Sequence, residues 1–273
     1  MVLVLSSATP GDTHFYKRWE VFGKVLKSPD ARFNKDVTIL VTNHSWVITD
    51  RIIEAYPNLT YICSANTNIS HIKTINKSIK IVYLDDPREL TEVTSVSEMV
   101  FRYIMIVYKE RFLPPRRLSQ KTIGIVGLGR IGKHVAEIAE GYKMKIKVHD
   151  EFDSIENLRS LMKNSDIVSI HLKETLQTKG MINNELISLM KMDSLLINTS
   201  RPSIVDHEFA SMQANRGMIY FAHDFQEKHS FFSPPRIITT AHIAGNTIED
   251  RIYTDTLIVR KLMGLIQSQD KIE

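Results

Sequence analysis

Residues 121–140 read KTIGIVGLGRIGKHVAEIAE, and this stretch decides the fold. A short apolar run of β type leads directly into Gly127, and glycines recur at Gly129 and Gly132. Beyond Gly132 the apolar residues return at helical spacing. The stretch therefore predicts a strand, a tight glycine turn and a helix that follow one another without a linker.

Each glycine of this turn has its own physical reason. Gly127 permits the tight turn, Gly129 lets the backbone approach a bound group closely, and Gly132 lets the helix pack against the strand. The first helical residues, Arg130 and Ile131, direct backbone N–H groups and the positive end of the helix dipole at that group. The arrangement predicts a site for a dinucleotide pyrophosphate; the alternative is a glycine-rich turn with a purely structural role.

The next predicted strand, KIKVHD, ends in Asp150, which stands 21 residues after Gly129. A carboxylate at this place accepts hydrogen bonds from the ribose diol of an adenosine. It also repels a 2′-phosphate, and the following residues, Glu151 and Phe152, supply no cation. The sequence thus favours NAD over NADP, with a helix-capping role for Asp150 as the alternative.

Apolar runs of β type alternate with amphipathic windows along the whole chain, which predicts an α/β fold with parallel sheets. Two series of strands are separated by a predicted long helix near 92–110, and a final helix follows residue 246. The predicted strands are 1–5, 37–42, 59–64, 80–84, 121–126, 145–150, 166–172, 194–200, 217–225 and 236–243. The predicted helices between them are 12–26, 48–56, 69–77, 131–142, 155–163, 184–191 and 205–214. We expect two doubly wound parallel-sheet domains.

Composition excludes several classes of function. The 273 residues carry a net charge of +4 without blocks of like charge, and the one tight basic cluster is PPRR at 114–117, so we expect no nucleic-acid partner. The most apolar helical window, 99–108, is far shorter than the roughly 20 residues that span a bilayer, so no membrane partner is expected. The single cysteine, Cys63, fits a reducing compartment and a cytoplasmic protein. We assign no residue to a metal.

Four blocks of sequence resemble, in the same order, the D-isomer-specific 2-hydroxyacid dehydrogenases. They are GLGRIG at 127–132, SIHLKETLQTKGMIN at 169–183, LLINTSRPSIVD at 195–206 and TAHIAGNTIE at 240–249. The resemblance implies a Rossmann NAD-binding domain over residues 92–246. It also implies that this domain is inserted into a flavodoxin-like, discontinuous substrate domain of residues 1–91 and 247–273, and that homodimers form through the cofactor domains.

The resemblance further implies roles for individual residues. Arg201 matches the arginine that binds the substrate carboxylate and polarises its 2-oxo group, His242 matches the acid–base histidine, and Asp224 matches the residue that holds the nicotinamide carboxamide. Arginine suits a planar carboxylate, and histidine suits a proton exchanged near neutral pH. The remaining cofactor-lining positions are His171, Leu172, Lys173, Thr178, Thr199, Ser200 and Ala244, and the loop that resembles the substrate-carboxylate loop contributes Asn66, Thr67 and Asn68.

The chain departs from the family pattern at several of these places. The family glutamate that pairs with the catalytic histidine is replaced by His229, and Glu227 is either its substitute or a solvated loop charge. Pro202 replaces a glycine after Arg201, and asparagines replace glycines in the substrate loop, where we expect them to tolerate a positive φ. Ser64 stands where phosphoglycerate-type members often have arginine.

These observations predict an NAD-dependent oxidoreductase that interconverts a small, unphosphorylated 2-oxo acid and its D-2-hydroxy acid. Hydroxypyruvate and glyoxylate represent the expected substrate class, and no appended regulatory domain is expected after the last helix. The alternative is an NAD(H)-binding regulatory or scaffolding protein on the same fold, with catalysis impaired by the missing glutamate.

Overall fold

The computed structural model describes residues 1–4, 14–27, 34–43, 46–112, 114–225 and 235–269. It divides into two compact units, the first formed by Met1–Val93 and Thr247–Glu273 and the second by Thr94–Asn246. Each unit is built around a parallel sheet.

The described residues form thirteen strands and eight α-helices. The strands are β1 Val2–Val4, β2 Val25–Lys27, β3 Ile39–Thr42, β4 Ile48–Thr49, β5 Tyr61–Ser64, β6 Ile72–Lys73, β7 Lys80–Tyr83, β8 Thr122–Val126, β9 Lys145–His149, β10 Ile167–Ile170, β11 Ser194–Asn198, β12 Ile219–His223 and β13 Ile237–Thr239. The helices are α1 Phe15–Trp19, α2 Asp50–Ile53, α3 Ser95–Met105, α4 Arg130–Gly141, α5 Ile155–Asn164, α6 Asn184–Ser188, α7 His207–Asn215 and α8 Ile248–Gln269.

The first unit contains a five-stranded parallel sheet in the order β2-β1-β3-β5-β7. Counted along the chain, its strands follow the order 2-1-3-4-5, which is the flavodoxin-type arrangement. Successive side chains of β3 point to opposite faces, so Ile39 and Val41 pack with α8 while Leu40 packs with Ile53 of α2. Because both faces are covered, the strands are continuously apolar.

The second unit contains a six-stranded parallel sheet in the order β13-β12-β11-β10-β8-β9. One face packs against α3 and α4, and the other against α5, α6 and α7. β9 is the edge strand, and residues 150–154 connect it directly to α5. In the order 3-2-1-4-5-6 of dinucleotide-binding domains, a further strand lies beyond the one that corresponds to β9. The described sheet does not include that strand, but its strand order still reverses between β8 and β10, as it does in those domains.

The predicted fold class is confirmed: an α/β protein with two parallel-sheet units. The predicted helix over 12–26 is too long, because Gly23 adopts a φ of +116° and the chain then enters β2. The predicted helix over 48–56 is shortened to α2 by the strand β4.

The predicted helix over 69–77 is wrong. The side chains of Asn68, Thr74 and Asn76 each accept a hydrogen bond from a backbone N–H two residues further on. Such local bonds compete with helical ones. Ile75, an apolar residue of this window, is 88% exposed.

Across the described parts of the chain, no helix is both long enough and apolar enough to span a lipid bilayer.

Candidate active site

The glycine turn after β8 combines two crowded positions with one open position. Gly127 has a φ of +95°, and a Cβ on it would lie 2.8 Å from the carbonyl oxygen of His171. A Cβ on Gly132 would lie 2.1 Å from the carbonyl oxygen of Gly127. At Gly129, by contrast, a Cβ would meet no atom within 4 Å outside its own turn. The outer glycines allow close packing, and the middle one borders open space.

This open space lies at the N-terminus of α4. Gly129 is the N-cap residue and has no side chain to bond the first N–H groups of the helix. The first turn, with Arg130 and Ile131, contains no acidic residue that would neutralise the helix dipole. The geometry therefore fits an anionic group such as a pyrophosphate.

Asp150 follows β9 directly, and β9 pairs with β8, so Asp150 and the glycine turn lie at the same edge of the sheet. The backbone N–H of Asp150 donates to the carboxylate of Asp153 at 2.8 Å, and the N–H of Asp153 donates to the carbonyl of Asp150 at 2.9 Å. These two bonds form a compact turn around Asp150. The backbone of Asp150 is thereby fixed at the carboxyl edge, where a ribose diol would meet its side chain.

Two buried polar atoms after β10 and β11 have no partner among the described residues. They are Nδ1 of His171 and Oγ1 of Thr199. The other ring nitrogen of His171 bonds the hydroxyl of Ser169 at 2.8 Å, and burial lowers the pKa of His171 to about 3, so its ring is neutral. Because an unsatisfied buried polar atom is unfavourable, these atoms fit a site completed by a ligand.

The loop after β10 is closed by Thr178. Its hydroxyl donates to the carbonyl of Lys173 at 2.6 Å and accepts the N–H of Thr175 at 2.8 Å. Leu172 packs against the core, and Lys173 is exposed. Thr178 thus shapes the loop with its own side chain, and the backbone of 171–173 lines the carboxyl edge.

Arg201 is carried by a loop that the buried Asn198 holds. The side-chain oxygen of Asn198 accepts the N–H of Ser200 at 3.0 Å, and its amide nitrogen donates to the carbonyl of Arg201 at 2.9 Å. The hydroxyl of Ser200 donates to the carbonyl of Ile170 at 2.8 Å, which ties the loop to β10. Pro202 begins a 3₁₀ turn, where its missing N–H is not needed.

Asp224 is only 3% exposed and organises the loop after β13. Its carboxylate accepts the hydroxyl of Thr240 at 2.5 Å, the N–H of Ile243 at 2.9 Å and the N–H of Ala244 at 2.7 Å. An ionised carboxylate offers about four acceptor positions. Described residues fill three of these positions, and among them no donor fills the fourth.

His242 stands in this loop with a φ of +55°, in the left-handed backbone region that non-glycine residues seldom adopt. Its Nδ1 lies 3.3 Å from the backbone carbonyl oxygen of Asp224. A carbonyl only accepts, so Nδ1 carries the proton of the neutral ring and Nε2 is its acceptor nitrogen. The residue is exposed, and its ring centroid lies 6.1 Å from that of Phe225.

The other predicted residues lie outside this edge of the second unit. Asn66, Thr67 and Asn68 belong to the first unit, where they follow β5. The side chain of Asn68 accepts the N–H of Ser70 at 2.8 Å, and neither asparagine has a positive φ, so the expected left-handed turn does not form. Glu227 and His229 lie outside the described residues.

Parallel strands bring the remaining predicted residues together. The glycine turn follows β8, Asp150 follows β9, the 171–173 segment follows β10, Arg201 follows β11 and Asp224 follows β12. All these strands run in the same direction, so their carboxyl ends meet at one edge, where ligands of open α/β sheets bind.

Several supporting residues of this edge are not among the predicted ones. Asn198 is one of them, and its position at the end of an apolar strand was a usable signal. Tyr103 of α3 hydrogen-bonds the hydroxyl of Thr240, which in turn donates to Asp224, and burial raises the pKa of Tyr103 to about 12. No sequence pattern connects residues so far apart. His207 and His223 also pack at this edge, with ring centroids 4.9 Å apart.

This edge combines a glycine turn at a helix N-terminus, an acid after the second strand, and a cation with an imidazole. Together these features define a nicotinamide-dinucleotide-dependent oxidoreductase. Residues 94–244 match the family model described as the NAD-binding domain of D-isomer-specific 2-hydroxyacid dehydrogenases, and the chain belongs to this family. The predicted family and the predicted cofactor, NAD, are thereby confirmed.

Known proteins resemble the chain along most of its length. It is 28% identical to a hydroxypyruvate reductase of Thermotoga maritima, with 83% of this chain and 84% of that protein covered. It is also 28% identical to a glyoxylate reductase of Thermofilum pendens, with 82% and 78% covered. A structure of D-lactate dehydrogenase from Aquifex aeolicus, in complex with NAD and lactic acid, matches with a TM-score of 0.77 at 22% identity and covers 99% of this chain and 97% of that one.

Proposed function

We propose that the protein reduces a small 2-oxo acid to its D-2-hydroxy acid, with Arg201 as the anchor of the substrate carboxylate and His242 as the proton donor. The observation that carries this proposal is that both side chains stand on loops fixed by buried polar residues at the carboxyl edge of the NAD-binding sheet. Bound NADH supplies the hydride. The protein supplies binding, orientation and the proton.

Arg201 is suited to its role by charge and by shape. Guanidinium stays protonated at any physiological pH and bonds a carboxylate with two parallel N–H groups. One Nη1 hydrogen bond goes to the carbonyl of Ser200 at 2.6 Å, which limits the rotation of the side chain. A substrate carboxylate bound by the remaining N–H groups would place the adjacent 2-oxo carbon in a defined position.

His242 is suited to proton transfer by its exposure and by its fixed ring. The carbonyl of Asp224 holds the proton of the neutral ring on Nδ1, so Nε2 is the nitrogen that exchanges a proton with the substrate oxygen. A protonated ring delivers this proton as the hydride arrives and returns to the neutral form.

Asp224 then has two tasks. Three acceptor positions of its carboxylate hold the loop of His242, and the fourth suits the amide of a nicotinamide. Thr199 and His171, whose buried polar atoms have no partner among the described residues, would complete their hydrogen bonds with the same cofactor. Asp150 would bind the adenosine ribose.

We assign substrate selection to the first unit, with Asn66, Thr67 and Asn68 as the loop that meets the substrate. Ser64 at the end of β5 supplies no cation for a phosphate group. The relatives from T. maritima and T. pendens are named for hydroxypyruvate and glyoxylate, which are small and unphosphorylated. The proposed substrate belongs to this class.

A homodimer in the cytoplasm completes the proposal. Cys63 is a free and fully buried thiol, which fits a reducing compartment. Light scattering coupled to gel filtration measures the mass in solution, and a monomer at micromolar concentration would contradict the dimer.

A panel of 2-oxo acids with NADH tests the function. Wild type is expected to reduce at least one small member. Arg201→Gln should raise its KM by about 100-fold because charge-assisted bonds are lost, and His242→Gln should lower kcat by about 100-fold or more. Arg216→Gln, at an exposed arginine of the same unit, is the matched control and should change neither. Tight NADH binding without turnover of any member would overturn the proposal in favour of a regulatory protein.

A further inference from the structure

The loop of Arg201 rests on a histidine that is not part of the proposed chemistry. His207 is the first residue of α7, and its Nε2 lies 3.2 Å from the side-chain nitrogen of Asn198. The same nitrogen donates to the carbonyl of Arg201 at 2.9 Å. A single amide group therefore joins His207 to the backbone of Arg201.

The hydrogen bonds fix the orientation of this amide. Its oxygen accepts the backbone N–H of Ser200 at 3.0 Å, so its NH₂ group faces Arg201 and His207. An NH₂ group has two hydrogens, and the two acceptors are the carbonyl of Arg201 and Nε2 of His207. His207 accepts here only as a neutral ring with its proton on Nδ1.

The surroundings keep His207 in that form. Its ring centroid lies 5.0 Å from that of Phe221, 4.9 Å from that of His223 and 5.7 Å from that of Phe225. Burial lowers the pKa of His207, while the neighbouring Asp206 acts in the opposite direction. The pKa of His223 falls to about 4, chiefly by burial, so neither ring is protonated near neutral pH.

We propose that His207 is a positioning residue for Arg201: it holds the amide of Asn198, and through it the loop that directs the guanidinium at the substrate carboxylate. This inference rests on the proposed role of Arg201. Asn198 is fully buried, so an NH₂ hydrogen without an acceptor is strongly unfavourable. Without the acceptor of His207 the amide shifts toward another partner, which weakens its bonds to Ser200 and Arg201 and displaces the anchor.

Two substitutions separate the acceptor from the packing of the ring. His207→Phe keeps an aromatic ring among Phe221 and Phe225 but has no acceptor. His207→Gln restores an acceptor with its side-chain oxygen. We expect His207→Phe to lower kcat/KM for glyoxylate by about tenfold, through KM, because a displaced anchor binds the carboxylate less well. His207→Gln should stay within about twofold of wild type.

The methyl ester of glyoxylate separates a positioning role from a merely structural one. A general disturbance of the structure would lower kcat/KM for the acid and the ester alike. The ester lacks the charge that Arg201 binds but keeps the 2-oxo group, so His207→Phe should lower its kcat/KM clearly less than that of the acid. In a double-mutant cycle, His207→Phe should have no further effect on glyoxylate once Arg201→Gln is present, because both act on one interaction.

The outcomes are distinguishable. An equal loss for acid and ester, a fully additive cycle, or wild-type kinetics of His207→Phe with active wild-type enzyme would overturn the positioning role alone. An NADH-binding wild-type protein that does not reduce glyoxylate or any other panel member would overturn the proposed function, and the positioning role with it.

Discussion

The backbone carbonyl oxygen of Asp224 lies 3.3 Å from Nδ1 of His242, while the carboxylate of the same residue accepts the N–H groups of the next two residues in that loop. One buried acid thus sets both the backbone and the tautomer of the imidazole. This neutral partner determines the direction of the ring but supplies no negative charge. A histidine held in this way is oriented for proton transfer even without an adjacent glutamate.

The Asp224 carboxylate is therefore expected to be indispensable. Asp224→Asn replaces one carboxylate oxygen with an NH₂ group, which then opposes the N–H of either Ile243 or Ala244. This should lower kcat by at least about tenfold and the free energy of unfolding by about 1–3 kcal/mol. Asp166→Asn is the control, because Asp166 accepts a backbone N–H at 2.8 Å at the opposite end of the same sheet. It should lower stability but not kcat, and an equal loss of kcat in both variants would contradict the assignment.

The glycines should separate stability from binding. Gly132→Ala forces a Cβ to within 2.1 Å of a backbone oxygen, so urea unfolding should show a loss of about 3 kcal/mol or more. Gly129→Ala meets no atom within 4 Å and should keep the stability of wild type while weakening NADH binding about tenfold or more. Isothermal calorimetry measures the second effect. Unchanged NADH affinity in Gly129→Ala would mean that the pyrophosphate lies elsewhere.

Asp150 is expected to set the choice of cofactor. Asp150→Ala removes the carboxylate that repels a 2′-phosphate, so the ratio of the NADPH and NADH dissociation constants should fall by about tenfold. Glu151→Ala, at the exposed neighbouring acid, should leave the ratio almost unchanged. If both variants shift the ratio equally, general charge rather than a ribose contact determines the preference.

Acid should destabilise the second unit through His223. In the folded protein this ring stays neutral down to a pKa of about 4, whereas the unfolded chain takes up its proton below about pH 6.5. The unfolded state therefore binds more protons between these values, and stability falls as the pH falls from 6.5 to 4. In His223→Phe the free energy of unfolding should fall less steeply with falling pH than in wild type. The two slopes should differ by less than about 1.4 kcal/mol per pH unit, because the ring is partly solvated. Parallel stability curves for the two proteins would rule out this source.

Glu227 is a remaining candidate for the acid partner of His242, in a segment outside the described residues. If it pairs with the imidazolium, Glu227→Gln should lower the apparent pKa of the reductive pH–rate profile, because a negative charge favours the protonated ring. His229→Gln should leave that pKa unchanged or raise it. An unaltered profile in Glu227→Gln would remove Glu227 from the mechanism.

Local patterns in the sequence predicted much of the fold. The strands of the second series and the helices between them follow from apolar periodicity, and the turn at Gly127 follows from the glycine spacing between a strand pattern and a helix pattern. The first series was less predictable, because capping side chains such as Asn68 and Asn76 override a helical pattern with bonds to their own backbone.

The sequence by itself determined the strand–turn–helix at Gly127, the acid at Asp150 and the order of the chemical residues along the chain, since each of these is a short pattern or a spacing along the chain. Only the tertiary structure decided that Asn198 and His207 hold the loop of Arg201, and that Tyr103 and Thr240 support Asp224. The physical reason is that hydrogen-bond partners distant along the chain are chosen by the packing of helices on the sheet. That packing leaves no short-range pattern in the sequence.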